Sequence, residues 1–398
     1  ERPKVRRAAN DAVHRVLHQQ RLLGGAGASR IVFEFCDQVI RTAATETKKG
    51  TPKSAVVKNE TMALQTISFL RLNSSLFTAK ATKKLLLRTS DLVLQRAAHT
   101  SARGCSTLAT KAIHHFICDA ESPIHPSAVV DIMSRFLEPW STKIDASLIG
   151  AVANLLADGI SRISKLPSTD CDDATRRELA INVLPRVSAT FAGFFHSNSP
   201  NVHQIVADAF ARAVVNCVDE RLVTETNQTI QSPSSNNRIA LPLENVISSL
   251  DSLLQPRHKH AWSSILPLLS GLFRHLATTS DPVTGPLLTT ISSLLDRGDE
   301  SNSESNQMNQ SIAPGPTRDL LEDVAGAAVE AMGAEAFLRH VSIGNPAAAS
   351  SAEIDAAMAC LDRRLWVLPV LKRHVRRTRS KLSCFHTTVI GLARLCEA

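Results

Sequence analysis

Two stretches far apart in the chain carry the same pattern of apolar residues behind a proline. One begins at Pro3 and the other at Pro200, and in both the apolar residues fall at offsets 2, 5, 6, 9, 10, 13 and 14 from the proline. This spacing places them on one stripe of an α-helix. Proline suits a first turn, because its fixed φ is helical and it lacks an N–H that would be unpaired there. No strand-like alternation competes with this pattern, so the sequence predicts stacked helices.

The repeated helix resembles the second helix of a HEAT repeat, and comparable apolar spacing fills most of the remaining chain. We count about sixteen helices in seven or eight pairs from this periodicity. In the stretch 176–195, Pro185 should kink or split the helix. With 43% hydrophobic residues in 398, the core is large, and a helical stack can extend it lengthwise. The predicted fold is all-α, an α-α superhelix of HEAT or armadillo type; a compact helical domain is the alternative.

The predicted organisation is a single solenoid segment, residues 1–398, of a longer protein, since the chain begins at Glu1 rather than Met. Residues 224–240 and 298–317 are rich in Ser, Asn, Gln and Thr. Such segments bury too little apolar surface to offset the entropy of ordering. We therefore expect both to be flexible loops between helices.

Basic residues exceed acidic ones, which gives a net charge of +8 and an isoelectric point near 9.2. This excess suits an anionic partner such as nucleic acid, although a soluble basic protein without such a partner would have the same balance. The densest basic stretch lies in a predicted helix, residues 365–382, whose Leu368, Leu371, Val375 and Leu382 should face the core. The candidate contacts to RNA phosphates are Lys372, Arg373, Arg376, Arg377, Arg379 and Lys381 there, and Arg2, Lys4, Arg6 and Arg7 at the chain start. A solvated basic face, or one that contacts an acidic protein, is the alternative.

The sequence offers no pattern that predicts catalysis or cofactor binding. The glycine-rich residues 24–29 lack the lysine of a phosphate-binding loop. His114 and Cys118 could share a helix face, but no second ligand pair accompanies them, so no metal site is predicted. The eight cysteines form no C-x-x-C pair, which favours a reducing compartment. We expect no enzyme activity, cofactor, small-molecule substrate or membrane span.

Three stretches resemble the middle of the ribosomal RNA-processing protein twelve family, whose members are long HEAT-repeat proteins similar to karyopherins. They are residues 260–273 (HAWSSILPLLSGLF), 327–338 (AAVEAMGAEAFL) and 364–378 (RLWVLPVLKRHVRRT). The motifs are packing motifs and name no active residues. The chain departs from the family at His374 and in the additional basic residues beyond it, so the basic helix is not transferred as a family RNA site.

This resemblance implies a scaffold in ribosome biogenesis that binds pre-ribosomal RNA and small-subunit assembly factors in the nucleolus and nucleus. It also leaves open a karyopherin-like transport receptor that binds the Ran GTPase and nucleoporins and shuttles to the cytoplasm. Acidic inner loops and apolar grooves between helix pairs would favour transport. A continuous basic surface would favour the scaffold.

Overall fold

The computed structural model describes residues 3–22, 27–45, 53–73, 77–97, 103–119, 122–137, 140, 144–231, 241–276, 281–296, 316–343, 351–375, 386 and 390. These residues form helices and connecting turns, and no strand occurs among them. The predicted all-α fold of HEAT type is confirmed. Packing divides the chain into two compact units, Glu1–Cys217 and Val218–Ala398, where sequence analysis predicted one continuous segment.

The first unit contains ten α-helices within the described ranges. They are α1 Pro3–Leu22, α2 Gly27–Thr45, α3 Lys53–Leu72, α4 Ala79–Ala97, α5 Arg103–Cys118, α6 Pro126–Arg135, α7 Ala146–Lys165, α8 Asp173–Glu178, α9 Leu184–Phe194 and α10 Pro200–Cys217. Successive helices pair as α2 with α3, α4 with α5, α6 with α7, and α9 with α10. The first helices α2, α4 and α6 contact one another along one layer, which continues from α6 to α8 and the turn before α9. The second helices (α3, α5, α7 and α10) contact one another along another layer. We call the latter the second-helix layer; contacts only to neighbouring pairs are the packing of a helical repeat protein.

The core of the first unit contains the apolar stripe behind Pro200, whereas the stripe behind Pro3 is mostly exposed: Val5, Val13 and Val16 are exposed, and Leu17 is buried. From the stripe behind Pro200, Val206, Phe210 and Ala213 are fully buried. The ring of Phe210 lies 5.4 Å from that of Phe191, centroid to centroid, at an angle of 56°. α7 is the described helix that is long and apolar enough to cross a membrane, and 67% of its apolar window is buried within the protein.

Pro185 breaks the predicted helix 176–195, as expected. A single π-helical turn, Leu179–Val183, joins α8 to α9, and Pro185 follows it in the first turn of α9. Because proline lacks an N–H and its ring crowds the carbonyl four residues earlier, widening the preceding turn accommodates it. Leu179 and Leu184, five residues apart, are both buried as a result.

The second unit is built from shorter helices. They are α11 Glu220–Gln231, α12 Pro242–Ser252, α13 Trp262–Leu276, α14 Gly285–Asp296, α15 Pro316–Met332, α16 Ala334–His340, α17 Ser351–Arg363 and α18 Val367–His374, with a 3₁₀ turn at Pro256–Ala261. α12 packs on α14, while α13, α15 and α18 pack side by side in sequence. This repeats, within the second unit, the layering seen in the first.

Part of the predicted loop 224–240 is helical, which corrects that prediction. Residues 224–231 belong to α11, and residues 232–240 lie outside the described residues. The Asp219 carboxylate caps the helix by accepting the N–H of Leu222 at 2.8 Å, and Val223 and Thr226 are buried. Capping and two buried positions thus order a polar sequence. Of the predicted loop 298–317, residues 298–315 lie outside the described residues, and α15 begins at Pro316.

Candidate nucleic-acid interface

The predicted basic helix is shorter than expected. α18 ends at His374, because Val375 adopts an extended conformation (φ −67°, ψ 118°). Lys372 and Arg373 are exposed and Leu371 is buried, as predicted for these three; Leu368 and Val375 are only partly buried. Arg376, Arg377, Arg379 and Lys381 lie outside the described residues.

α18 is held against α15 by contacts to its basic residues. His374 Nδ1 lies 3.1 Å from Glu330 Oε1, and Arg373 Nη1 lies 3.9 Å from Glu322 Oε2. The His374 ring covers Gly326 so closely that a Cβ there would come within 2.5 Å of it. Among the described residues of α18, Lys372 therefore remains as the exposed cation without an ion pair.

At the start of the chain, Lys4 is exposed on α1. Arg2 lies outside the described residues, and the side chains of Arg6 and Arg7 do as well, although their backbone is helical. Of the ten predicted phosphate contacts, the structure therefore describes the side chains of Lys4, Lys372 and Arg373.

A basic cavity that the sequence did not predict opens on the second-helix layer of the first unit. Its volume is about 610 Å³. Its polar lining comes from three helices: Arg71 of α3, Lys111, His114 and His115 of α5, and Ser147 and Asn154 of α7. Arg71 and Lys111 are exposed, and neither forms an ion pair within the described part of the chain. Their positive charges are therefore available to a ligand.

His114 adds a further positive charge to the cavity wall. Its Nε2 lies 2.8 Å from Asp158 Oδ2, and this hydrogen bond raises the pKa of His114 to about 9. The imidazole is thus protonated at neutral pH. The same contact lowers the pKa of Asp158, which Arg212 also approaches, with its Nε 3.2 Å from Asp158 Oδ1.

The cavity is cationic overall. Three carboxylates adjoin its lining: Asp158, Asp119, which directly follows Cys118, and Asp145, which accepts the hydroxyl of Ser147 at 2.5 Å. Against these stand four cations: Arg71, Lys111, protonated His114 and Arg212. A concave site with this excess can hold a phosphate group through charge-assisted hydrogen bonds.

The three stretches that resemble a known family occupy the centre of the second unit. Each stretch contributes buried residues: Trp262 and Ile265 of α13, Ala328 of α15, Trp366 directly before α18, and Val367 at its start. Residues 196–398, just over half of the chain, match the family described as "Ribosomal RNA-processing protein 12, HEAT repeats".

The chain belongs to the ribosomal RNA-processing protein 12 family. It is similar to the human "RRP12-like protein", with 26% identity over 223 residues. That alignment covers 56% of the chain and 15% of the human protein, so the chain spans about a sixth of that relative's length.

Within this member of the ribosomal RNA-processing protein 12 family, the cavity lining lies outside the matched residues except for Ile205; Arg212, beside the cavity, also lies within them. Sequence reasoning noted the His114–Cys118 spacing but could not supply Asp158 or Arg212, which follow many residues later on other helices. Arg71 and Lys111 are isolated basic residues in sequence. The stacking of α3, α5 and α7 brings them together.

Proposed function

We propose that the chain is a segment of a non-enzymatic scaffold in ribosome biogenesis. In this proposal it holds small-subunit precursor RNA and assembly factors in the nucleolus. The observation that carries it is the basic cavity on the second-helix layer, where the exposed Arg71 and Lys111 converge in a member of a ribosomal RNA-processing family.

The cavity supports contact with the RNA backbone rather than base reading. Lysine and arginine side chains neutralise phosphates and release counterions, which gives affinity that falls steeply with salt and depends little on sequence. The rings in the cavity lining are those of His114 and His115, and none of the lining residues is Phe, Tyr or Trp, so the side chains that stack best on bases are absent from it. The exposed Lys372 of α18 is a second phosphate contact in this proposal.

The test measures binding of a fluorescent single-stranded fragment of small-subunit precursor RNA by anisotropy at several salt concentrations. The double variant Arg71→Gln/Lys111→Gln removes two phosphate contacts. Its plot of log K against log salt should be shallower by about 1.4, because each contact to single-stranded RNA contributes a slope of about 0.7. Lys372→Gln should reduce the slope by about half that amount.

The matched control is Arg177→Gln/Arg186→Gln, which neutralises two exposed arginines of α8 and α9 in the same unit, away from the cavity lining. This variant should keep the slope of the unchanged protein. An unchanged slope in the cavity variant would remove the basis for the RNA contact.

In cells, crosslinking of the tagged full-length protein should yield small-subunit precursor RNA. Recovery of Ran and nucleoporins without that RNA would favour a transport receptor instead.

A further inference from the structure

Three potential metal ligands converge beside the basic cavity, on two adjacent helices. His114 and Cys118 stand one turn apart on α5, and their Nε2 and Sγ atoms are 3.3 Å apart. Asp158 of α7 places its Oδ2 2.8 Å from the same Nε2. The three ligand atoms all lie within 4.8 Å of one another. This is a compact donor set of one nitrogen, one sulfur and one oxygen.

We propose that His114, Cys118 and Asp158 form a Zn²⁺ site. Imidazole, thiolate and carboxylate are the three ligand types that zinc takes in proteins, and three protein ligands leave a fourth position for water. The cavity lined by His114 and Cys118 gives that fourth position access to solvent. The proposal stands independently of the proposed function, because it needs no RNA.

The third ligand is held in place by neighbours that do not face the metal position. Arg212 Nε lies 3.2 Å from Asp158 Oδ1, the oxygen not shared with His114. The guanidinium of Arg212 in turn donates to Asn154 Oδ1 at 2.7 Å. Such outer contacts orient a ligating carboxylate and leave its other oxygen directed at the metal.

The surrounding positive charges do not oppose zinc as strongly as their number suggests. Cations face the cluster from each helix packed around it: Arg71 of α3, Lys111 of α5, Arg162 of α7 and Arg212 of α10. Zinc takes a neutral imidazole, a thiolate and a carboxylate as ligands. The two negative ligands offset the charge of Zn²⁺, so the loaded site has no net charge to repel the neighbouring arginines.

A metal here would join two neighbouring helix pairs. α5 belongs to the pair α4–α5 and α7 to the pair α6–α7. Zinc would thus cross-link α5 and α7, and with them two successive repeats, within the second-helix layer. Because it would bind the folded protein only, it should raise the stability of the first unit.

The experiment is a titration of the chelator-treated, reduced protein with Co²⁺, followed by displacement with Zn²⁺. One Co²⁺ per chain should bind and give a thiolate-to-cobalt charge-transfer band in the near ultraviolet, which Zn²⁺ abolishes. Cys118→Ser should lose this band, and Asp158→Asn should weaken Co²⁺ binding at least about tenfold, on the scale of ligand-shell mutations. Circular dichroism checks that both variants remain folded.

The matched controls are His115→Gln, an exposed neighbour of the cluster, and Cys360→Ser in the second unit; both should retain the band. The absence of stoichiometric Co²⁺ binding would overturn the proposal and leave the cluster as an ion pair of His114 with Asp158. A band of undiminished intensity in Cys118→Ser would overturn it as well, because the thiolate would then come from another cysteine.

Discussion

Asp296, the last residue of α14, fixes the family motif at residues 364–366 to the rest of the second unit. Its Oδ1 accepts the indole N–H of Trp366 at 2.9 Å, and its Oδ2 accepts Arg364 Nε at 3.1 Å. Trp366 is only 4% exposed, so its side chain is shielded from water. We expect Asp296→Ala to loosen α18 from α14 and α15.

The magnitude follows from three contributions. An indole N–H left buried without an acceptor costs about 1–3 kcal/mol. The ion pair with Arg364 is partly exposed, and its loss costs about 0.5–1 kcal/mol. A carboxylate at the C-terminal end of a helix is repelled by the helix dipole. Its removal therefore stabilises the fold by about 0.3–1 kcal/mol and offsets part of this loss. The net destabilisation is about 2 kcal/mol, with a range of about 0.5–3.7.

Hydrogen exchange at the backbone amides of α14 and α18 measures this loss of stability within the second unit alone. Each 1.4 kcal/mol is tenfold, so protection should fall about thirtyfold. Trp366→Phe should be partly redundant with Asp296→Ala, and a double-mutant cycle should give a coupling of about 1 kcal/mol. Asp362→Ala, at an exposed residue of α17, is the control and should change protection less than about threefold. Additive single variants, or a change below threefold in Asp296→Ala, would refute this account of the motif.

Three other changes have definite expected outcomes. Phe210→Ala removes a fully buried ring packed on another aromatic side chain, so urea unfolding of the first unit should show a loss of about 3–5 kcal/mol. Burial raises the pKa of Cys36 to about 12, whereas Cys118 is exposed; iodoacetamide at pH 8 should therefore label Cys118 before Cys36 in the native, metal-free protein, and mass spectrometry of peptides checks the order. His114 has a folded pKa of about 9 against an ordinary 6.5, so its contact with Asp158 stabilises the fold fully below pH 6.5 and loses that effect as the pH rises through 9. With chelator present, the difference in urea midpoint between His114→Gln and the unchanged protein should be largest near pH 6 and shrink by pH 9.5; an equal difference at both would contradict the ion pair.

The sequence predicted the fold class and most helices, because a 3.6-residue apolar period records directly which side of a helix is buried. The stripe behind Pro200, for example, lies on α10, which begins at that proline. Other features depend on a single residue. Val375 ends α18 early through its backbone conformation, and Asp219 starts α11 within a sequence whose polar composition indicated a loop.

The basic cavity and the ligand cluster could not be predicted, because they depend on which helices become neighbours. Arg71 and Lys111 stand alone in sequence, and Asp158 is one of many acidic residues on helical stretches. Periodicity places each on a face of its own helix. It does not specify that α3, α5 and α7 lie side by side, and that arrangement comes from the packing of whole helix pairs.

The π-helical turn between α8 and α9 has a consequence for how this chain tolerates change over evolution. A π turn is an α-helix with one residue inserted, and the insertion is absorbed locally within Leu179–Val183. Residues before and after the turn therefore keep the same faces of the helix toward the core, and Val187 and Phe191 remain buried. A relative that lacks one residue here would have a continuous α-helix at this position and an unchanged core. A gap of one residue in an alignment of this helix would then indicate an insertion rather than a rearranged repeat.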